Sequence, residues 1–124
     1  MEKIFTENAP APAGHYSQAV VHNGLVYVAG QLPIDPASGE KKLGTIGEQT
    51  EQVLKNMQAI LEASGSGLDK VLKTTVYISD IENWGDVNNV YTRYFGDHKP
   101  ARVVVPTREL HFGFMIEMEC VAVV

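Results

Sequence analysis

The chain has 124 residues, 44% hydrophobic and 20% charged, a balance that fits one folded domain over residues 1–124 and excludes a disordered chain. Ten Lys and Arg against 15 Asp and Glu leave a net charge of −5, which argues against a nucleic-acid partner gripped through its phosphates. Cys120 is the only cysteine, so no internal disulfide forms. No n-region with an apolar h-region opens the chain, and no apolar run approaches the ~18 residues of a membrane span, so a soluble cytoplasmic protein is expected.

Taken in order, a short strand is expected around Lys3–Phe5. The segment Asn8–Gly14 holds two prolines and a glycine and reads as a loop. A second strand begins near Ser17. Tyr16 projects from the end of the loop, and the residues alone leave it as an aromatic at the rim of the core. Asn23-Gly24 suits a two-residue hairpin turn, because type I′ needs positive φ at both central positions. It should join Ala19–His22 to Leu25–Gly30. Leu25–Ala29 has the uniform apolarity of a central strand. Gly30 then permits a close approach to the backbone. Asp35–Gly39 is a surface turn without a phosphate-loop pattern.

Thr45 and Glu48 form a capping box ahead of a helix. Ile46, Thr50, Val53, Leu54, Met57, Ile60 and Leu61 give it one buried face, and Gly65 and Gly67 end it. Val71–Ser79 reads as a strand, with Leu72, Thr74, Val76 and Ile78 on one face. Asp80 or Asn83 can cap a second helix whose stripe is Trp84, Val87, Tyr91, Tyr94 and Phe95. The spacing is helical and no basic residues interleave, so the aromatics pack against a sheet rather than stack on bases. Gly96 and Pro100 stop this helix.

The last stretch, Pro100–Val124, is expected to form two strands in a hairpin turning near residues 110–112, with Arg102 and Glu117 approaching the same end of the pair. With period two, Phe114, Ile116, Met118, Cys120, Ala122 and Val124 form a core face. Cys120 therefore reads as a buried structural thiol. Met115, Glu117, Glu119, Val121 and Val123 form the other face, too apolar for water and too charged for a core. The order is βββαβαββ, a two-layer α+β domain with two helices on one face of a six-stranded mixed sheet. A half-apolar sheet face left bare predicts an oligomer.

Arg102 stands in an apolar run and needs either an anion or water for its guanidinium. Its planar fork suits a ligand carboxylate; the competing reading is an internal salt bridge to Glu117 or Glu119. His15, His22, His98 and His111 show no metal-ligand spacing, so no metal is expected.

Seven short pieces in order resemble the reactive intermediate deaminase (Rid, or YjgF) family. They are Asn8-Ala9-Pro10, Gly14-His15-Tyr16-Ser17-Gln18-Ala19, Ala29-Gly30-Gln31 with Pro33, Lys73-Thr74-Thr75-Val76, Val87-Asn88, Pro100-Ala101-Arg102 and Ile116-Glu117-Met118-Glu119. The resemblance implies a chorismate-mutase-like fold and a homotrimer with pockets between subunits. It implies that Tyr16 reaches a ligand pocket and that Arg102 binds the substrate carboxylate. Glu117 would position the attacking water, and the backbone amides near Gly30 and Val104 would help hold the carboxylate. The implied reaction is hydrolysis of a 2-imino or 2-enamino acid, of the 2-aminoacrylate or 2-iminopropanoate type, to a 2-oxo acid and ammonia. That chemistry needs no cofactor, because a protonated imine is already electrophilic. Glu119 reads as an interface ion pair rather than a catalytic group.

The chain departs from the family pattern at Ala29, where serine is usual, and at Val103-Val104, where small residues such as Ser-Cys follow the arginine. His15 stands where proline is usual, and Thr107–Phe112 differs from the common Leu-Pro-containing loop. The alternative function is therefore a non-catalytic binder of 2-oxo acids using the same intersubunit pocket. Ribonuclease and holdase readings are the remaining alternatives.

Overall fold

The computed structural model describes residues 1–124. The strands are β1 (Glu2–Ile4), β2 (Ala19–His22), β3 (Leu25–Gln31), β4 (Val71–Ile78), β5 (Ala101–Pro106) and β6 (Ile116–Val123), and the helices are α1 (Ile46–Ala63) and α2 (Trp84–Phe95). They form one six-stranded sheet in the order β1-β2-β3-β6-β4-β5, and the element order βββαβαββ is the expected one. No helix is long and apolar enough to cross a membrane.

Local signals place most of these elements. The β2–β3 hairpin turns at Asn23 (φ 52°) and Gly24 (φ 78°), the positive pair that a type I′ turn requires. Thr45 caps α1 by accepting the Glu48 amide at 3.2 Å. Asp80 accepts the Glu82 amide at 2.9 Å and starts the 3₁₀ turn that leads into α2. Val53, Leu54, Met57, Ile60 and Leu61 of α1 are fully buried, with Val87 of α2, Val76 and Ile78 of β4, and Ile116 and Met118 of β6. Cys120 is buried among them, and burial pushes its thiol up to about 12, which fits the structural reading.

Three features differ from the sequence expectation. The last two strands are not a hairpin. β5 pairs with β4 in parallel and forms one edge of the sheet, while β6 runs antiparallel between β3 and β4. β4-α2-β5 is thus a crossover unit whose helix covers the sheet, as parallel neighbours need. The second difference is a register shift between Val71 and Lys73 against β6. It turns Val71 into the core and leaves Leu72 exposed, reversing the simple alternation. The third is a register shift in β3, where Val28 faces Cys120 but Gln31 faces Met118, so Ala29 and Gly30 together oppose Glu119.

The sheet face away from the helices carries Tyr27, Val103 and Val123, all exposed, with half-buried Val121, Tyr77 and Glu119 among them. Contiguous apolar area of this kind is rare on a free surface.

Candidate active site

The β3 bulge is the centre of the site. Gly30 sits where β3 widens, and the Glu117 carboxylate of neighbouring β6 lies directly over its Cα, so a Cβ there would collide with Glu117 Oε2. The close approach expected of Gly30 is to this side chain. Bulges re-aim side chains at the rims of sheets, and this one gives Glu117 its space.

Tyr16 closes the same region from the N-terminal loop. Its hydroxyl accepts the Ala13 amide at 3.2 Å. The loop is held by Gln18, whose buried amide accepts from Thr6 N at 2.7 Å and donates toward the carbonyls of Thr6, Ala9 and Pro10 at 3.0, 3.3 and 2.9 Å. A third wall comes from Leu32, whose carbonyl and that of Ile34 are held by Asn56 of α1 at 3.2 and 2.9 Å. The fourth is the turn His111–Gly113 before β6. Tyr16, Gly30, Leu32, His111, Phe112 and Glu117 line a cavity of about 520 Å³.

Burial pushes the Glu117 carboxyl above the usual carboxylate range; the nearby His111 pulls it down and Glu119 pushes it up again. The titratable neighbours of Glu117 are His111 and Glu119, and burial raises its affinity for a proton. Glu119, one pleat along, accepts a hydrogen bond from the Tyr77 hydroxyl at 2.9 Å, and that bond raises the tyrosine's pKa. No ion pair forms at Glu119 within this chain.

Arg102 lies elsewhere. It shares register with Thr74, a fully buried residue bonded to the Tyr91 hydroxyl, so it is on the helix-covered face. Glu117 shares register with Tyr77 on the open face, and β4 separates the two strands. Arg102 Nη1 donates to Asn88 Oδ1 at 3.0 Å, and its guanidinium carbon lies 4.8 Å from the Trp84 ring centroid and 4.7 Å from that of Tyr91. The competing sequence reading, an internal salt bridge to Glu117 or Glu119, is therefore not what holds it. Two aromatic faces and one amide oxygen hold the fork, and no acidic side chain neutralises it. Arg102 lines a second cavity of about 430 Å³ with Asn88, Tyr91, His98 and Lys99. Val104, two residues on, is half-buried against the core beside Val76.

Of the five expected site residues, Tyr16, Gly30 and Glu117 come together, and Arg102 and Val104 do not join them within one chain. In the sequence Asn88 stands only within the pair Val87-Asn88, and its hold on Arg102 is not legible there. His111 and Phe112 likewise carry no role there. Phe112 adopts φ 59° and ψ 18°, left-handed backbone that costs a bulky residue about 1–3 kcal/mol.

The family model described as Endoribonuclease L-PSP matches residues 6–124, and relatives carry the Rid name. The chain belongs to the Rid/YjgF family. Among curated Rid/YjgF-family relatives, a RutC family protein of Pyrococcus horikoshii is 50% identical, with 98% of this chain and 96% of that protein covered. A 2-iminobutanoate/2-iminopropanoate deaminase of Rattus norvegicus is 43% identical, with 97% of this chain and 88% of that protein covered. The crystal structure of RidA from an Antarctic Psychrobacter superposes with a TM-score of 0.96 at 36% identity, covering both chains completely. Named deaminases thus stand among the relatives of this Rid/YjgF-family chain.

Proposed function

We propose that the chain hydrolyses reactive 2-imino and 2-enamino acids to 2-oxo acids and ammonia, at sites shared between the copies of a cytoplasmic homotrimer. The carrying observation is the Glu117 carboxylate, seated over Gly30 in a half-apolar cavity with its proton affinity raised. The edge strand β5 of a neighbouring copy would bring Arg102 to that cavity, joining the two charges that one chain keeps on opposite faces. The exposed apolar face supports such an assembly.

Arg102 would hold the substrate carboxylate through its unoccupied donors, while the backbone amides at Gly30 and Val104 take up remaining lone pairs. Glu117 would accept a proton from water as the water oxygen bonds to the imine carbon. The same carboxyl, now protonated, would give that proton to the amine nitrogen; as the C–N bond breaks and the carbonyl forms, the intermediate's hydroxyl proton would pass through the regenerated carboxylate to the departing ammonia. An iminium acid and one water become a 2-oxo acid and an ammonium ion, with atoms and charge balanced. Tyr16 would close the site, and no cofactor enters these steps.

One observation favours the binder reading. Ala29 lines the cavity with a methyl group where the family pattern has a serine hydroxyl. The test is to generate 2-iminopropanoate with an amino-acid oxidase and follow its loss against semicarbazide trapping. Native protein should hasten the loss, and Arg102→Ala and Glu117→Gln should hasten it far less, by about 10-fold or more at low imine. Acceleration by either variant equal to native would remove that residue from the site. No acceleration across small and bulky imino acids, with 2-oxo acids still bound, would leave the binder.

A further inference from the structure

The turn His111–Gly113 contains a residue that folding does not explain. Phe112 holds left-handed backbone, which glycine would take without strain, yet the residue remains 56% exposed and is not part of the buried core. The ring is nonetheless fixed. The Lys41 ammonium lies 4.6 Å from its centroid, the His111 ring 5.9 Å away, and the Phe114 ring meets it edge-on at 5.9 Å.

Phe112 stands between the cavity that holds Glu117 and a narrower cleft lined by Pro10, Ala11 and Ile34. The cavity's lining joins the polar Glu117 and His111 to the apolar Ala13, Leu32 and Phe112. In one chain this cavity measures about 520 Å³.

We infer that Phe112 is a specificity residue, and that the site prefers 2-imino acids with a bulky apolar side chain, aromatic above all, to 2-iminopropanoate. The inference rests on the deaminase reading for its chemistry. Phe112 shares the cavity with Glu117, so with the reacting carbon at Glu117 an apolar substrate side chain would have the Phe112 ring as a wall to fill.

The test compares kcat/KM for the imines of alanine, leucine and phenylalanine, in the native chain, Phe112→Gly and Phe112→Leu. Native protein should favour the phenylalanine imine over the alanine imine by about 10-fold or more, the worth of filling an apolar pocket. Phe112→Gly, which suits the backbone and should stay folded, should lose about 10-fold on the phenylalanine imine and less than about 3-fold on the alanine imine. Phe112→Leu should fall between. Equal losses on all three imines, or a native preference for alanine, would overturn the inference. Thermal-shift titration with phenylpyruvate and pyruvate provides a second readout that needs no turnover. Failure of all imine hydrolysis would refute the deaminase reading. A phenylpyruvate preference lost in Phe112→Gly would still support the pocket, and equal binding of both acids would refute it.

Discussion

The two charged groups of the candidate site sit in opposite kinds of place. Glu117 is on an interior strand, β6, flanked by β3 and β4, and its carboxyl is crowded by a bulge, a histidine and a second carboxylate. Arg102 is on the edge strand β5, stacked on two aromatic rings, with one amide oxygen for a partner. The interior strand holds a crowded carboxyl; the edge strand holds a cation without an acidic partner. Under the proposed deaminase reading each would be half of a chemistry, and their separation across the sheet would be bridged by assembly with another copy.

The contrast can be broken from either side. Glu117→Gln should have the largest effect, lowering kcat on any hydrolysed imine by about 10²–10⁴-fold, the span of positioned acid–base groups. Arg102→Ala should lower kcat/KM by about 10–100-fold, mostly through KM, since a charge-assisted pair to a carboxylate is worth about 1.5–3 kcal/mol. Mixing those two variants with subunit exchange sharpens the point. If Arg102 and Glu117 meet across an interface, about a quarter of the sites in a random 1:1 assembly regain both residues, and activity returns. No recovery despite demonstrated exchange would refute a site shared by Arg102 and Glu117.

Asn88→Ala should cost about 5-fold in KM with kcat nearly unchanged, because it loosens the guanidinium through one hydrogen bond of about 1 kcal/mol. The smallest effect concerns stability. The folded Glu117 carboxyl titrates above its reference value of 4.5, so its contribution is complete below that pH and is lost as pH rises through the folded value. Glu117→Gln should therefore melt higher than native near pH 8, and the two melting curves should converge below about pH 4.5.

Much of the architecture was readable locally. Asn23-Gly24 carried its own turn, Thr45 its own cap, and the α1 stripe its buried face, because each depends on neighbours in sequence. Strand order was different. Pairing β5 with β4 rather than β6 is decided by where α2 packs, a non-local matter that a period-two pattern does not encode. The bulges at Leu72 and at Ala29-Gly30 were invisible for the same reason, since an extra residue shows only against a partner strand. Tyr16, Gly30 and Glu117 could be named from motifs. That Arg102 faces the helices could not, because a lone arginine in a valine run carries no sign of which face it takes. Asn88 left a faint trace, four residues after Trp84 and three before Tyr91, at the spacing that puts all three on one side of a helix.

That spacing has an optical consequence. Trp84 is the only tryptophan in the chain, and its indole lies against the Arg102 guanidinium. Every photon of tryptophan fluorescence from the protein therefore originates beside the residue expected to grip a carboxylate. Occupancy of that arginine can be followed in the native chain, without a dye or a label, by the colour and intensity of its own emission.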